Sequence, residues 1–313
     1  MKIALLINET ECVELDNYYL FSHQLLALGH SVFLCCIDSL GMSNAKVTAQ
    51  GFQASSDLVE VGRPFSAIAR SEVDLSVFDL VWVLALGFRT GFLDKMQLLH
   101  NLERDTVLVN SLDSILYLKS KYFLNTQSEI FSHPESHASS NWKQLFEIIQ
   151  RGGGTWIIKP PAGSFGRDVF KVEATDANLR SILQTMTGHE TGLYCMIQRY
   201  VEEINNGEKR VLMANGEVVG QYCRRNTQDH RTNLAQGGEP EACTLTSEEL
   251  DLCSNVGEFL RREGALFVAM DLAYPYVIEL NVINPGGLTT IHALTNQDLS
   301  REVVERVLSG KIT

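Results

Sequence analysis

Positive charge is what this chain most lacks. Lysine and arginine together number 26 against 38 aspartates and glutamates, which leaves a formal net charge of −12 over 313 residues. A nucleic-acid binder needs a basic footprint, so that class is disfavoured. An anionic small substrate is not, because a few converging lysines and arginines make a local positive pocket. Cysteine is sparse and unpatterned. The seven (Cys12, Cys35, Cys36, Cys195, Cys223, Cys243 and Cys253) are odd in number and contain no Cys-x-x-Cys pair. That fits a reducing compartment better than a disulfide framework. Cys35 and Cys36, inside SVFLCCI, read as buried strand residues. Long apolar runs are missing too. Only IALLI lies between Lys2 and Asn8, too short for a signal-peptide core, and no later stretch is long enough to span a bilayer. The expectation is a cytoplasmic protein with neither a membrane nor a nucleic-acid partner. Also missing are internal repeats, low-complexity tracts, a recognisable Ser–His–Asp or Cys–His set, and a Gly-Lys-Ser/Thr run opening a helix, which excludes a Walker A loop.

What remains is an ordinary globular composition, 45% hydrophobic and 20% charged, long enough for two or three structural units. KIALLI (2–7) reads as a buried strand, NYYLFSHQLLALGH (17–30) as a helix closed by glycine, and SVFLCCID (31–38) as a second strand. VFDLVWVLAL (77–86) and TVLVN (106–110) add two more strands, which predicts an open α/β front domain. Residues 111–124 read as helical, and the polar stretch 125–140 as a connection between domains. After it the texture is β-rich: WIIKP (156–160), VFKVEA (169–174), YCMIQRYV (194–201), and a hairpin over 209–223 closed by Asn215-Gly216. Within it, residues 246–264 form an amphipathic helix opened by the capping box Thr246-x-x-Glu249. The back domain is therefore α+β.

One hairpin carries unexpected polarity. FVAMDLAYPYVIELNVINPGG (267–287) pairs two apolar runs, yet places Asp271 in the first and Glu279 and Asn281 in the second. Residues two apart share a strand face, so Glu279 and Asn281 point together and Asp271 faces them across the ladder. Such a set suits a hard divalent cation shared with phosphate oxygens; a solvated, hydrogen-bonded sheet face accounts for the same pattern equally well. In TWIIKPPAGSFGRDVFKV (155–172), Lys159 ends a strand before a glycine-containing loop. Small residues let backbone N–H groups approach phosphates, although taken alone this is an ordinary hairpin turn. Residues 223–242 are polar, with Arg225, Arg231, Asn233 and Gly237-Gly238, and read as a surface loop or a lid. His133 and His137 flank a proline in a polar stretch with no third ligand, and read as solvated loop residues. Arg261 and Arg262 complement the negative end of their helix.

In their order and spacing these pieces resemble the ATP-grasp ligases, and among them the prokaryotic glutathione synthetases. YCMIQRYV, NGEKRVLMANGE, NLAQGG and the FVAMDLA…IELNV hairpin carry the resemblance, which covers about 119–295 and, weakly, the front of the chain. It implies an N-terminal α/β domain over 1–118 and an ATP-grasp domain over 119–313, with lobes of about 119–195 and 196–313. It implies that Lys121 and Lys159 contact nucleotide and that Gly163, Ser164, Phe165 and Gly166 form the phosphate loop. Adenine recognition falls on Gln198, Arg199, Tyr200 and Val201, and the ribose contact on Glu208, where near family members carry Asp. Arg210 and Arg225 would hold the donor carboxylate and its phosphorylated form. The mobile catalytic loop falls on 226–238, with Arg231 and Asn233 facing ligand. Asp271, Glu279 and Asn281 become ligands of Mg²⁺, or of Mn²⁺, beside ATP. Where glutathione synthetases continue Ser-Pro-Thr, this chain has Asn284-Pro285-Gly286-Gly287, closer to other amino-acid ligases, so Asn284, Gly286 and Gly287 are candidate substrate contacts. The implied reaction is amide formation through an acyl phosphate, with γ-glutamylcysteine and glycine as first-choice substrates. A different acidic donor or amino-acid acceptor, and a non-catalytic ATP-binding module, are the alternatives. The family also suggests a homo-oligomer.

Overall fold

The computed structural model describes residues 1–161, 167–189, 191–229 and 231–310. The unbroken apolar run of β1 (Lys2–Ile7) is buried from Ile3 onwards, as a strand covered on both faces requires. Parallel strands β2 (Ser31–Cys36), β6 (Leu80–Val83) and β7 (Val107–Val109) join it. The sheet is completed on one side by antiparallel β3 (Gly41–Ser43), β4 (Lys46–Gln53) and β5 (Ser71–Asp74), giving seven strands in all. None of these three was expected from the sequence. Helix α1 (Asn17–Ala27) packs on the face presenting Ile3 and Leu5, and α2 (Phe92–Leu102) on the face presenting Ala4 and Leu6. Strand alternation supplies both cores.

The helix expected over 111–124 is two pieces. A π-helical turn spans Ser114–Leu118, and a short helix α3 (Lys121–Leu124) restarts where the Ser120 side chain caps the backbone N–H of Tyr122. The stretch 125–140 is not merely a connection either, because β8 (Ser136–Ser139) pairs with β11 (Cys195–Arg199). With β9 (Thr155–Lys159) and β10 (Phe170–Glu173), these form a four-stranded antiparallel sheet in the order β10-β9-β11-β8. Helices α4 (Trp142–Gly152) and α5 (Leu179–Met186) cover it around Trp156, Ile158 and Ile197. Because β11 belongs to this sheet, the chain leaves it after Arg199 rather than near residue 195.

A five-stranded sheet follows, ordered β14-β13-β12-β15-β16. Its strands are β12 (Glu208–Ala214), β13 (Glu217–Arg225), β14 (Glu239–Glu241), β15 (Phe267–Ala273) and β16 (Tyr276–Asn281). Helix α6 (Ser247–Arg262) opens with the expected capping box, Thr246 and Glu249 bonding each other's backbone N–H, and buries Val256, Phe259 and Leu260 on one sheet face. Helices α7 (Leu288–Thr295) and α8 (Ser300–Ser309) pack on the other. That second core is continuous with the N-terminal sheet: Phe21 of α1 stacks on Trp82 at 4.6 Å and meets Phe267 of β15 edge-on at 5.4 Å. Asn110 pins the two sheets together. Its amide nitrogen donates to the carbonyls of Phe267 and Val282 at 2.8 and 2.7 Å, and its oxygen accepts from the N–H groups of Leu266 and Phe267 at 2.7 and 2.9 Å. Among the described residues no helix is long and apolar enough to cross a membrane.

Candidate active site

Between the four- and five-stranded sheets lies a cleft of about 270 Å³. Strand register builds its floor. Arg210 stands opposite Asp271, and Asp271 opposite Glu279, so one row of charged side chains crosses β12, β15 and β16 on a single face. Asn281, two residues beyond Glu279, shares that face. Arg210 grips Asp271 with a two-pronged guanidinium contact, 2.8 Å on each side, and the Asn281 amide nitrogen donates to the same carboxylate at 3.2 Å. Glu279 accepts from Lys121 at 2.6 Å.

The register contains one surprise. A bulge between Leu212 and Met213 shifts the β12–β13 pairing by one residue, so Glu208 stands opposite Arg224. A one-residue slip exchanges the two faces of a strand. Arg224 therefore enters the cleft, donating to Glu208 at 2.5 Å and lying 3.0 Å from Asp271. Arg225, the residue expected to hold the donor carboxylate, turns outward, is half exposed and pairs with Glu241 on β14. Regular alternation back from the Asn215-Gly216 turn puts Arg225 inside; only the bulge puts Arg224 there.

Glu208, Arg210, Arg224 and Asp271 thus form a quartet of two cations and two anions, three of them buried and Arg210 partly so. Burial alone would raise the Asp271 pKa, but Arg210 and Arg224 outweigh it and hold the carboxyl well below the usual carboxylate range. Arg224 is pushed the other way, because the attraction of Asp271 and Glu208 exceeds the penalty of burial. Thr232 also donates to Glu208. The carboxylate proposed for ribose is therefore held by an arginine and a hydroxyl.

Across the cleft, Lys159 at the end of β9 donates to the Gln198 side-chain oxygen at 2.7 Å. Burial, and then the neighbouring charge of Lys121, lowers its pKa from 10.5 to about 8, with Glu279 and Glu208 opposing. The Gln198 amide nitrogen donates to His133 Nε2 and to Ser136 Oγ, both at 3.0 Å. His133 is not a solvated loop residue: its Nδ1 lies 2.7 Å from the Val277 carbonyl oxygen. Its former companion His137 sits on β8 with its ring 6.1 Å from Trp156, so the two histidines serve different contacts.

Lys121, Lys159, Gln198, Tyr200, Glu208, Arg210, Arg231, Asn233, Asp271, Glu279, Asn281, Asn284 and Gly286 all line this one cleft. Arg231 is paired with Asp229 at 2.5 Å. Arg199 faces away, lying 4.0 Å over the Trp156 ring and donating to the Gly153 carbonyl, and Val201 is buried outside the lining. Asn284 touches the cleft, but its amide is engaged by α1: it donates to Asp16 and accepts from Asn17, each at 2.8 Å. Gly287 is turned onto Leu212 and Tyr222, with φ +147°. Gly163, Ser164, Phe165 and Gly166 lie outside the described residues. The polar lining residues absent from the sequence expectation are Arg167, Arg224 and Thr232; His133 acts one contact behind the cleft, through Gln198.

The ATP-grasp domain of the prokaryotic glutathione synthetases matches residues 121–296 of this chain. The chain belongs to this family. A glutathione synthetase of Mesorhizobium japonicum is 26% identical over 304 residues, covering 96% of each chain. One from Gloeobacter violaceus is 28% identical, covering 88% of this chain and 86% of its own. A solved D-cycloserine synthetase superposes with a TM-score of 0.66 over 98% of this chain and 100% of its own, at 14% identity, which is a likeness of fold. Family membership and ATP-grasp architecture make the protein an ATP-dependent, ADP-forming ligase acting on small molecules. The donor set fits the cation such ligases use. Two carboxylates and an amide oxygen are too few for an all-protein cage, and the described residues contain no cluster of three or more His, Cys, Asp or Glu able to hold a metal. They suit Mg²⁺, which keeps water and phosphate oxygens among its ligands.

Proposed function

We propose that this ligase joins γ-glutamylcysteine to glycine with consumption of ATP, yielding glutathione, ADP and phosphate. The observation carrying this reading is the meeting of Lys121, Lys159, Arg210 and Arg224 with Asp271, Glu279 and Asn281 in one cleft, in a chain whose curated relatives are glutathione synthetases.

The donor carboxylate oxygen attacks the γ-phosphorus of ATP; the bond to the ADP oxygen breaks and an acyl phosphate forms. The glycine nitrogen then attacks the acyl carbon, loses a proton, and phosphate departs. No side-chain nucleophile is required. Lys121 and Lys159 neutralise phosphate charge from opposite walls, and Arg210 stands beside the metal carboxylates to steady the transferring group. Asp271, Glu279 and Asn281 would hold Mg²⁺, which supplies further charge neutralisation at the phosphates. Loop 226–238, braced internally by Asn226 and anchored to Glu208 through Thr232, shields the acyl phosphate from water.

One observation favours a second acceptor. A Cβ atom placed at Gly286 meets nothing within 4 Å, so there is open space beside Arg210 for an amine larger than glycine. The test is mass spectrometry of products from ATP, Mg²⁺, a panel of γ-glutamyl and other acidic donors, and a panel of amino acids. Glutathione as the main product supports the first reading. Coupling of another acid while γ-glutamylcysteine is ignored overturns the substrate and keeps the ligase chemistry.

A further inference from the structure

His133 is reached by three elements at once. The Ser132 carbonyl accepts from the Val277 N–H at 2.9 Å, laying this segment along β16 two residues before Glu279. The His133 ring then turns toward the other lobe. Its Nδ1 faces a carbonyl oxygen, Val277, at 2.7 Å. A carbonyl can only accept, so Nδ1 carries the hydrogen. The neutral ring's Nε2 is then an acceptor, and the group facing it at 3.0 Å is the Gln198 amide nitrogen. The second hydrogen of that amide goes to Ser136 Oγ at 3.0 Å. With both hydrogens committed, the Gln198 oxygen is left to receive Lys159 at 2.7 Å.

The order matters. A Gln198 amide turned over would set an N–H₂ group against the Lys159 ammonium and a carbonyl against the His133 acceptor. The tautomer of one histidine thus fixes an amide, and the amide fixes a buried ammonium. We propose that His133 is a positioning residue: its neutral imidazole orients Gln198 so that Lys159 is held ready for nucleotide phosphate, and it ties the lobe carrying Lys159 to the strand carrying Glu279. Burial first, then the charges of Lys159 and Lys121, lower its pKa to about 4, against the Val277 carbonyl and Glu279. The ring therefore stays neutral through the physiological range. His133 is not itself a proton carrier in the reaction.

The inference rests on the ligase reading only in assuming that the cleft binds nucleotide. The two histidine nitrogens can be replaced separately. His133→Gln sets a carbonyl near the Nε2 position and keeps the acceptor for Gln198. His133→Asn sets an amide nitrogen near the Nδ1 position, keeping the donor to Val277 and losing Gln198. Affinity for a non-hydrolysable ATP analogue with Mg²⁺ is measured by calorimetry, and melting temperature is recorded without ligand. Both variants give up one hydrogen bond and melt within a few degrees of each other. The Asn variant binds nucleotide about tenfold more weakly, which is ~1.4 kcal/mol, while the Gln variant stays within about threefold of the parent, ~0.65 kcal/mol. Gln198→Met removes the acceptor of Lys159 together with the His133 link and gives a loss at least as large as His133→Asn. Equal affinity in the two histidine variants, or parental affinity in Gln198→Met, overturns the proposal. Failure of the unmodified protein to bind the analogue overturns the ligase reading instead.

Discussion

Lys159 offers the sharpest quantitative test of the nucleotide site. Its pKa is lowered from 10.5 to about 8, chiefly by burial, which amounts to roughly 3 kcal/mol of disfavour for the ammonium in the empty cleft. Bound triphosphate restores the lost stabilisation, so the proton is held more tightly in the complex than in the free protein. Affinity should be full below pH 8 and fall as pH rises through that value, about tenfold per pH unit. Between pH 7 and 9.5 the loss is about 30-fold. Folding responds with the opposite sign. Above pH 8 the folded chain holds neutral Lys159, while an unfolded lysine keeps its proton up to about 10.5. The unfolded state then binds more protons, so this residue's contribution to stability improves from pH 8 to 10.5. The assay is calorimetric titration with a non-hydrolysable ATP analogue and Mg²⁺ across that range, in parallel with Lys159→Arg, whose charge persists throughout. Affinity that is flat with pH in the parent, or that falls equally in the arginine variant, refutes the reasoning.

Three further outcomes follow from the geometry. Arg224→Met leaves Glu208 and Asp271 buried with half their cationic partners and should destabilise folding by about 3–5 kcal/mol; Arg225→Ala, at an exposed pair, should change it by less than about 1 kcal/mol, and urea denaturation distinguishes them. Glu279→Gln removes a charge from the half-exposed end of the carboxylate row, so turnover dependent on Mg²⁺ should collapse while the melting temperature moves by only a few degrees, a split read by coupled ADP release and calorimetry. Asn110→Leu leaves two carbonyls and two N–H groups without their buried partner, and should lower stability by roughly 3 kcal/mol or more in denaturant titration.

Where the pattern was long and periodic, the sequence was readable. The β1–α1–β2 opening, the hairpin of β12 and β13, helix α6 with its capping box, and the Asp271–Glu279–Asn281 face all follow from spacing. What escaped has specific physical causes. Strand β8 is Ser-His-Ala-Ser, polar and only half buried, so nothing in its composition announces a strand. Arg225 is the position the family resemblance implies; the bulge that brings Arg224 into the cleft instead leaves no mark in a single sequence. His133 looked like a loop histidine because its partners, Val277 and Gln198, lie 144 and 65 residues away. Residue types were legible; the contacts that give His133 and Arg224 their work are set by register and long-range docking.

The division of the apolar cores bears on how the molecule comes apart. The N-terminal sheet and the five-stranded sheet share one continuous cluster, in which Phe21, Trp82 and Phe267 are neighbours. The four-stranded lobe packs Leu145, Trp156, Ile158, Leu183 and Ile197 into a cluster whose buried members all come from its own strands and helices. Such a lobe is a separate cooperative unit, able to open while the remainder stays folded. Amides of β9 and β11 should therefore exchange with solvent by sub-global opening, at lower free energy than those of β1 or β15. Nucleotide, held from both sides of the cleft, would lend this lobe the stability of its larger neighbour.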